Sequence, residues 1–449
     1  MKNKLILTLL MFAFVVQAQD KKQSYSFSLD QAISHALTNN RSAINANRDI
    51  DIAKQKKWET TAMGLPQING MVNYQNNFKL QTSLLPAEIF GGTPGQFAEV
   101  TFGTKQSAGG SLSLSQLLFD GSYIVALQAS KTYLQFYQNY KKKTDADVRE
   151  MVINSYGNVL LAEESTQILQ KNKSILEKTL FETNQIYKNG LIEEENVEQL
   201  KITLSSVNGN LNYITRLKDI SIKILKINLG LDINDDLQLT DKLDVLTQNN
   251  LDFALKNQNV ASDFKVQNNI NYIITQNFVD QRSLELKLQK SRALPSLSAG
   301  VNFGYNGFSE KFTFFNSDQR YFNYSNLGVN LYIPIFSSFA RSARTQQARI
   351  ALDKAKTDLT EMEQKLQLAF QNAKSDYEFS VEQYNSSKEN LVLAERIEKK
   401  QQIKFKEGLS SSFDFTEAQR QLYTSQQNYL QTMVDVINKK AALEKVIQN

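Results

Sequence analysis

The chain of 449 residues has no cysteine. That excludes disulfides, thiol nucleophiles, thiolate metal sites and a lipidated N-terminal cysteine. It has one histidine, His35, so no cluster of histidine metal ligands can be built. Five prolines in the whole chain leave room for very long unbroken helices. Neither charge sign dominates: 51 basic residues face 46 acidic ones, without the clustered Lys/Arg face that nucleic acid requires. Beyond the first twenty residues there is no run of about 20 apolar residues, the length a membrane-spanning helix needs. Those first twenty, "MKNKLILTLLMFAFVVQAQD", place Lys2 and Lys4 before an apolar run at 5–16 and then Val16-Gln17-Ala18. This is the order of a secretory signal peptide, residues 1–18, cut after Ala18, and it predicts export.

What the chain does have is a switch of period. From Ile68 the even positions read Ile68, Gly70, Val72, Tyr74, against Asn69, Met71, Asn73 and Gln75. One face is mostly apolar or aromatic and the other mostly amide. The stretch has an echo: "LPQINGMVNY" from Leu65 aligns with "LPSLSAGVNF" from Leu294. "SLSLSQLLFDG" from Ser111 aligns with "GVNLYIPIFSS" from Gly328, and "IYKNGL" from Ile186 with "KFKEGL" from Lys404. An internal duplication is the simplest account: a first repeat at 19–229, a linker at 230–246 and a second repeat at 247–449. Each repeat predicts a helical segment (28–63 and 247–291) and a strand starting at a Leu-Pro pair, Pro66 or Pro295. A loop (82–100 and 307–323), a second strand and a long helical hairpin follow. The strands fall at about 66–80, 102–119, 296–306 and 324–336.

Strands of about ten residues are longer than the five or six usual in soluble sheets, and they match the length of a tilted membrane strand. Apolar residues would face lipid, and Ser, Gly and Asn a wet lumen. Four strands cannot close, and an open edge in hydrocarbon leaves backbone groups unpaired. The chain must therefore oligomerise. Two copies give eight strands with a filled interior; three give twelve with room for a pore. The small polar residues favour three.

From 123 to 188 there is no proline and one glycine, Gly157; from 339 to 407 there is neither. Helices of this length would reach roughly 100 Å. In the second, Ala348, Leu352, Ala355, Leu359, Met362, Leu366, Ala369, Ala373, Tyr377, Val381, Tyr384 and Leu391 fall almost entirely at spacings of three and four, a coiled-coil period. Each helix stops at Lys-x-Gly-Leu. Gly190 and Gly408 suit the left-handed residue that ends a helix, so Gly190-Leu191 and Gly408-Leu409 mark hairpin tips before helices at 195–229 and 413–447.

Duplicated halves, Leu-Pro strand starts, "LFDG" at 118–121 and two Gly-Leu tips together resemble the TolC family of outer-membrane efflux proteins. "SLDQAISHALTNN" at 28–40, with Ser28 as helix cap, is similar to the family's first helix. The resemblance covers the whole mature chain. It implies a mixed fold: a trimer whose twelve-stranded barrel lies in outer-membrane lipid, four strands per chain, above a periplasmic coiled-coil helical tunnel. It also implies docking of the tips, including Leu191 and Leu409, on a periplasmic adaptor (membrane fusion protein) and an inner-membrane pump. No cofactor, nucleic acid or enzyme chemistry is implied. In the family the tunnel is pinched by acids just after the second tip glycine, and the matching positions here are Asp414 and Glu417. Three copies would ring six carboxylates and push their pKa upward; acids in a first helical turn also simply favour its dipole. The sequence departs from the family where a Tyr and an Arg can lock the closed tip, because Phe405 and Ser410 stand there. Glu193, Glu194 and Glu195 read as solvated, His35 and Trp58 as packing residues.

A barrel-anchored trimeric coiled-coil adhesin or structural fibre is the alternative. It predicts one anchor at one end of the chain, whereas strands recur here in both repeats. A soluble scaffold would not need ten-residue alternating strands. No nucleophile elbow, phosphate loop or paired catalytic carboxylate is present.

Overall fold

The computed structural model describes residues 23–256 and 264–447; the signal peptide expected at 1–18 lies outside the described residues. Strand β1 (Ser24–Phe27) leads into α1 (Leu29–Asn39). Ser28 caps that helix reciprocally: its hydroxyl accepts from the Gln31 N–H and the Gln31 side chain accepts from the Ser28 N–H. Asn40 then turns extended, with ψ 134°, and α2 (Arg41–Ala62) begins. The single helical segment expected over 28–63 is thus two helices. The Asn40 side chain wins against helix continuation because it accepts from the Ser42 N–H at 2.8 Å and donates to the Asn228 carbonyl at 2.7 Å.

The chain continues through β2 (Gln67–Asn76), β3 (Thr82–Pro86), a 3-10 turn (Ala87–Phe90), β4 (Phe97–Thr101) and β5 (Gln106–Asp120). Next come α3 (Gly121–Lys188), α4 (Glu194–Leu229), β6 (Asp236–Leu239) and α5 (Leu243–Lys256). A 3-10 turn (Val266–Asn268), α6 (Ile270–Ser291), β7 (Ser296–Ser309), β8 (Tyr321–Tyr332), α7 (Ala340–Lys406) and α8 (Ser412–Ile447) complete it. The expected helical segment at 247–291 is also broken. Asn269 turns extended before α6, accepts from the Asn271 N–H at 2.9 Å and donates to the Val446 carbonyl at 2.8 Å. The loop expected at 82–100 is a hairpin of β3 against β4, and the linker at 230–246 holds β6, paired in parallel with β1, and the start of α5.

The described residues form two compact bodies, and both draw on both repeats. The boundaries fall inside α2, α3, α6 and α7. The first body comprises residues up to Asp49, Gln138–Thr275 and those from Leu359 onward. Its core is built from Val148, Val152, Tyr156 and Val159 of α3, Leu225 and Leu229 of α4, and Met433, Val434 and Ile437 of α8, with Ala32 and Ala36 of α1. Each fully buried large apolar side chain contributes about 1.5–3 kcal/mol. Along α7 this body buries Leu366, Phe370, Tyr377, Ser380, Tyr384 and Ala394; Phe370, Ser380 and Ala394 are absent from the seam read from the sequence. The Tyr377 hydroxyl donates to the Asn250 carbonyl at 2.6 Å, and the Tyr384 hydroxyl accepts from Gln248 at 3.2 Å, fastening α5 to α7.

The second body comprises Ile50–Tyr137 and Gln276–Asp358 and holds the four-stranded sheet and the β3–β4 hairpin. No helix among the described residues is long and apolar enough to cross a membrane.

Candidate functional site

In the second body the sheet order is β2-β5-β7-β8, antiparallel throughout. Pro66 and Pro295 immediately precede β2 and β7. Register carries the two-residue alternation across all four strands. Ile68, Leu114, Val301 and Leu327 form one cross-strand row, and Asn69, Ser113, Asn302 and Asn326 the next. Within the second row the Asn302 amide donates to Asn326 at 3.1 Å. Among the described residues nothing covers the apolar face: Val72 is 90% exposed and Leu327 73%. The outermost strands, β2 and β8, each pair on one side only and are exposed on both faces. At the loop end of the strands Tyr74 packs edge-on against Phe312 and Phe314, with centroids 5.6 and 5.8 Å away. At the helix end the Asp120 carboxylate accepts from the Ser122 and Tyr123 N–H groups and starts α3. Trp58, read from the sequence as a packing residue, is 60% exposed on α2.

The hairpin tips lie in the first body. Gly190 (φ 74°) and Gly408 (φ 71°) are left-handed. In each tip the glycine N–H reaches back three residues and the following leucine N–H five, to Ile186 and Lys404. These bonds satisfy the last helical carbonyls. Leu191 and Leu409 project, 74% and 77% exposed. The tips have a small core of their own, Leu176, Leu200 and Phe415, and Phe405 stacks on Phe415 at 5.3 Å with ring planes 5° apart. The Asn196 side chain, at the start of α4, accepts from the Ser412 N–H at 3.1 Å and ties the two tips together. The positions that lack a Tyr and an Arg therefore do different work here: Phe405 is a packing residue, and the Ser410 hydroxyl is buried without a partner.

Asp414 and Glu417 are exposed and lie one helical turn apart, but each is engaged by a neighbour on its own segment. Asp414 accepts from the Ser411 hydroxyl at 2.8 Å and the Ser411 N–H at 3.1 Å, while the Ser411 hydroxyl accepts from the Asp414 N–H at 3.2 Å. This is a capping box with aspartate in the glutamate position, and its hydrogen bonds hold the Asp414 carboxyl below the ordinary range. Arg420 donates to Glu417 at 2.9 Å, and that bond likewise lowers the Glu417 pKa. Within one chain both shifts run opposite to the upward shift expected of three clustered copies. Glu193, Glu194 and Glu195 are exposed about the start of α4.

Beside the tips, α3, α4, α7 and α8 line an open cleft of about 570 Å³. Ile202, Val207, Phe413, Glu398, Glu417 and Arg420 are among its lining residues. Glu398 is half-buried there, and desolvation raises its pKa although Gln419 hydrogen-bonds to it. Glu398 escaped the sequence reading because its burial comes from partners on other helices. Asn40 and Asn269 each stand 26 residues before Pro66 and Pro295, so the two breaks occupy matching places in the two repeats. Elsewhere in this body His35 packs on Phe27 at 5.0 Å, and burial lowers its pKa.

Residues 277–448 match the family model described as outer membrane efflux protein. The chain carries an outer-membrane efflux protein domain. Its fold is similar to that of CusC, whose structure concerns transmembrane channel formation: 16% identity, 97% of this chain and 96% of that one covered, TM-score 0.73. The CmeC outer membrane channel of Campylobacter jejuni gives 16% identity, coverage of 96% and 90%, and a TM-score of 0.70. VceC, an outer membrane protein of Vibrio cholerae, gives 14%, coverage of 93% and 95%, and 0.69. No curated protein matches the chain by sequence. The resemblance to TolC-family efflux proteins stands, in a mixed fold of long helices and a four-stranded sheet. The model matched over 277–448 describes proteins of the outer membrane.

Proposed function

We propose that three copies of this chain assemble into a channel-tunnel with twelve barrel strands above a coiled-coil helical barrel. It is a passive exit duct for a tripartite efflux or type I secretion system. The observation that carries this reading is the open sheet, whose uncovered apolar face suits lipid and whose edges β2 and β8 each lack a neighbour. In hydrocarbon each unpaired backbone group costs several kcal/mol, so closure through further copies is what makes such a sheet tenable. The projecting Leu191 and Leu409 would meet a periplasmic adaptor and, through it, an inner-membrane pump. Asp414 and Glu417 would form the periplasmic constriction. In that assembly the downward shifts seen in one chain favour carboxylates that stay ionised and attract cations.

Purified protein in planar bilayers tests both levels. A detergent-stable trimer with cation-favouring conductance is expected, and a trimer without conductance would sink the duct. Asp414→Asn with Glu417→Gln should raise conductance or weaken block by multivalent cations; unchanged traces would remove the constriction. The adhesin alternative receives no support from the matched families.

A further inference from the structure

The polar face of the sheet can be followed row by row from the strand pairings. From the helix end the rows read Leu117–Ser298–Asn330, Gln67–Ser115–Gly300–Gly328 and Asn69–Ser113–Asn302–Asn326. Towards the loop end come Met71–Ser111–Gly304–Tyr324 and Asn73–Gly109–Asn306–Phe322. Across these five rows there is no Asp, Glu, Lys or Arg. The charges nearest in register stand at the two ends. Asp120 is committed to the Ser122 and Tyr123 N–H groups at 2.6 and 3.1 Å. Arg320 lies over the Phe322 ring, 5.0 Å from its centroid. The face is also kept narrow in chemistry. The Asn73 and Asn306 amides crowd over Gly109, where an added Cβ would fall 2.3 Å from the Asn306 Oδ1 and 3.1 Å from the Asn73 Oδ1. The Tyr324 ring covers Gly304 in the same way.

We infer that this face makes the membrane stretch of the duct a charge-neutral, hydrogen-bonding sieve. Solutes meet there only amides, hydroxyls and uncharged side chains, and pass without regard to the sign of their charge. The inference deepens the channel reading and rests on its placing the polar face towards the lumen. Physically, a pore ringed by fixed charges concentrates one sign of ion and depletes the other, because low-dielectric walls focus the field. Amides and hydroxyls offer donors and acceptors to either sign and to neutral polar solutes, and carry no net charge to focus.

The cysteine-free chain permits a direct test. Ser113→Cys, a near-isosteric change, places a reporter in the central row, and Leu114→Cys places one on the apolar face. Each is reacted in the trimer with a cationic and an anionic methanethiosulfonate of similar size, with rates normalised to a free thiol. For Ser113→Cys the two normalised rates should agree within about threefold. Adding Asn302→Asp beside the reporter should then favour the cationic reagent by about tenfold or more. Discrimination of about tenfold in the parent reporter, or no response to the added carboxylate, would overturn the neutral sieve. An inert Ser113→Cys with a reactive Leu114→Cys would instead overturn the lumen-facing assignment, and with it the channel reading.

Discussion

Replacing Phe415 with alanine should loosen the hairpin tips and leave the main core closed. Phe415 is fully buried against Leu176 and Leu200 and stacked on Phe405, in a cluster separate from the one built on Val152, Tyr156 and Met433. Removing a buried Phe side chain costs about 3–5 kcal/mol when the site cannot collapse. Here collapse is restrained, because the Asn196 to Ser412 bond fixes the two tips on either side of the cluster. Since each 1.4 kcal/mol is a factor of ten, amide exchange through tip opening should rise by about two to three and a half decades. Hydrogen exchange followed by mass spectrometry reads this in peptides over 186–204 and 403–420. Peptides over 148–160 and 430–441 should keep their wild-type rates. Phe413→Ala is the control: that side chain is 63% exposed and its loss should change stability by no more than about 0.5 kcal/mol. Unchanged tip exchange in Phe415→Ala would refute the packing role. Equal acceleration of core peptides would refute the independence of the tips. Under the channel reading the same variant should spend more time open in bilayer recordings.

Asn40→Ala and Asn269→Ala each remove a helix cap and leave a carbonyl, Asn228 or Val446, without its donor. Each should cost about 2–4 kcal/mol in denaturant titrations, with the Asp variants intermediate because they keep the cap and lose the amide donor. Gly190→Ala and Gly408→Ala should cost about 1–2 kcal/mol each through backbone strain alone, because a Cβ at either position meets open space; thermal melts of the Asn variants should fall between. Burial would raise the Asp147 pKa, but hydrogen bonds from Lys143 and Lys445 outweigh it and hold the carboxyl below its ordinary range. A depressed carboxyl stabilises the fold above its unfolded pKa and loses that contribution as pH falls through the folded one. Lys445→Met should therefore lower the melting temperature near neutral pH and flatten its fall on acidification, so that the gap to the parent narrows as pH drops below the ordinary carboxylate range, measured as melting temperature against pH.

The parts of this protein that were legible in the sequence are those governed by local period. Alternation over Ile68–Gly70–Val72–Tyr74 marks a strand with two unlike faces whatever lies beside it, and Lys-x-Gly-Leu marks a helix end because only the left-handed region completes it. The breaks at Asn40 and Asn269 were missed because an asparagine inside a polar helical run looks like any other. The partner that its amide donates to is a carbonyl 188 or 177 residues away, which no local pattern shows. The hairpin inside 82–100 was missed for a related reason, since its strands are five residues long and Gly- and Pro-flanked. At the candidate constriction the sequence located the carboxylates. It could not show that Ser411 and Arg420 engage them first, because that depends on side-chain geometry.

The junctions between strand and helix show how register reaches beyond the sheet. In β5 the even residues Leu112 and Leu114 lie on the apolar face, so an unbroken alternation would turn Phe119 to the polar side and Asp120 to the apolar side. The ladder slips between Leu117 and Phe119, leaving Leu118 as the extra residue. Phe119 consequently pairs with Leu297 on the apolar face, and Asp120 pairs with Ser296 on the polar side, where its carboxylate starts α3. A bulge of this kind re-aims every side chain that follows it. The second repeat reaches its long helix differently: Ser338 and Phe339 both take left-handed backbone, with φ of 48° and 65°. That conformation costs an ordinary residue about 1–2 kcal/mol. Arg341 offsets part of the cost by donating to the Pro334 and Ile335 carbonyls at 2.8 and 3.1 Å. Two repeats of one plan thus solve the same turn by different means, a slipped ladder in one and a strained pair in the other. A residue count alone, 71 positions from Phe119 to Gly190 against 72 from Phe336 to Gly408, cannot distinguish them.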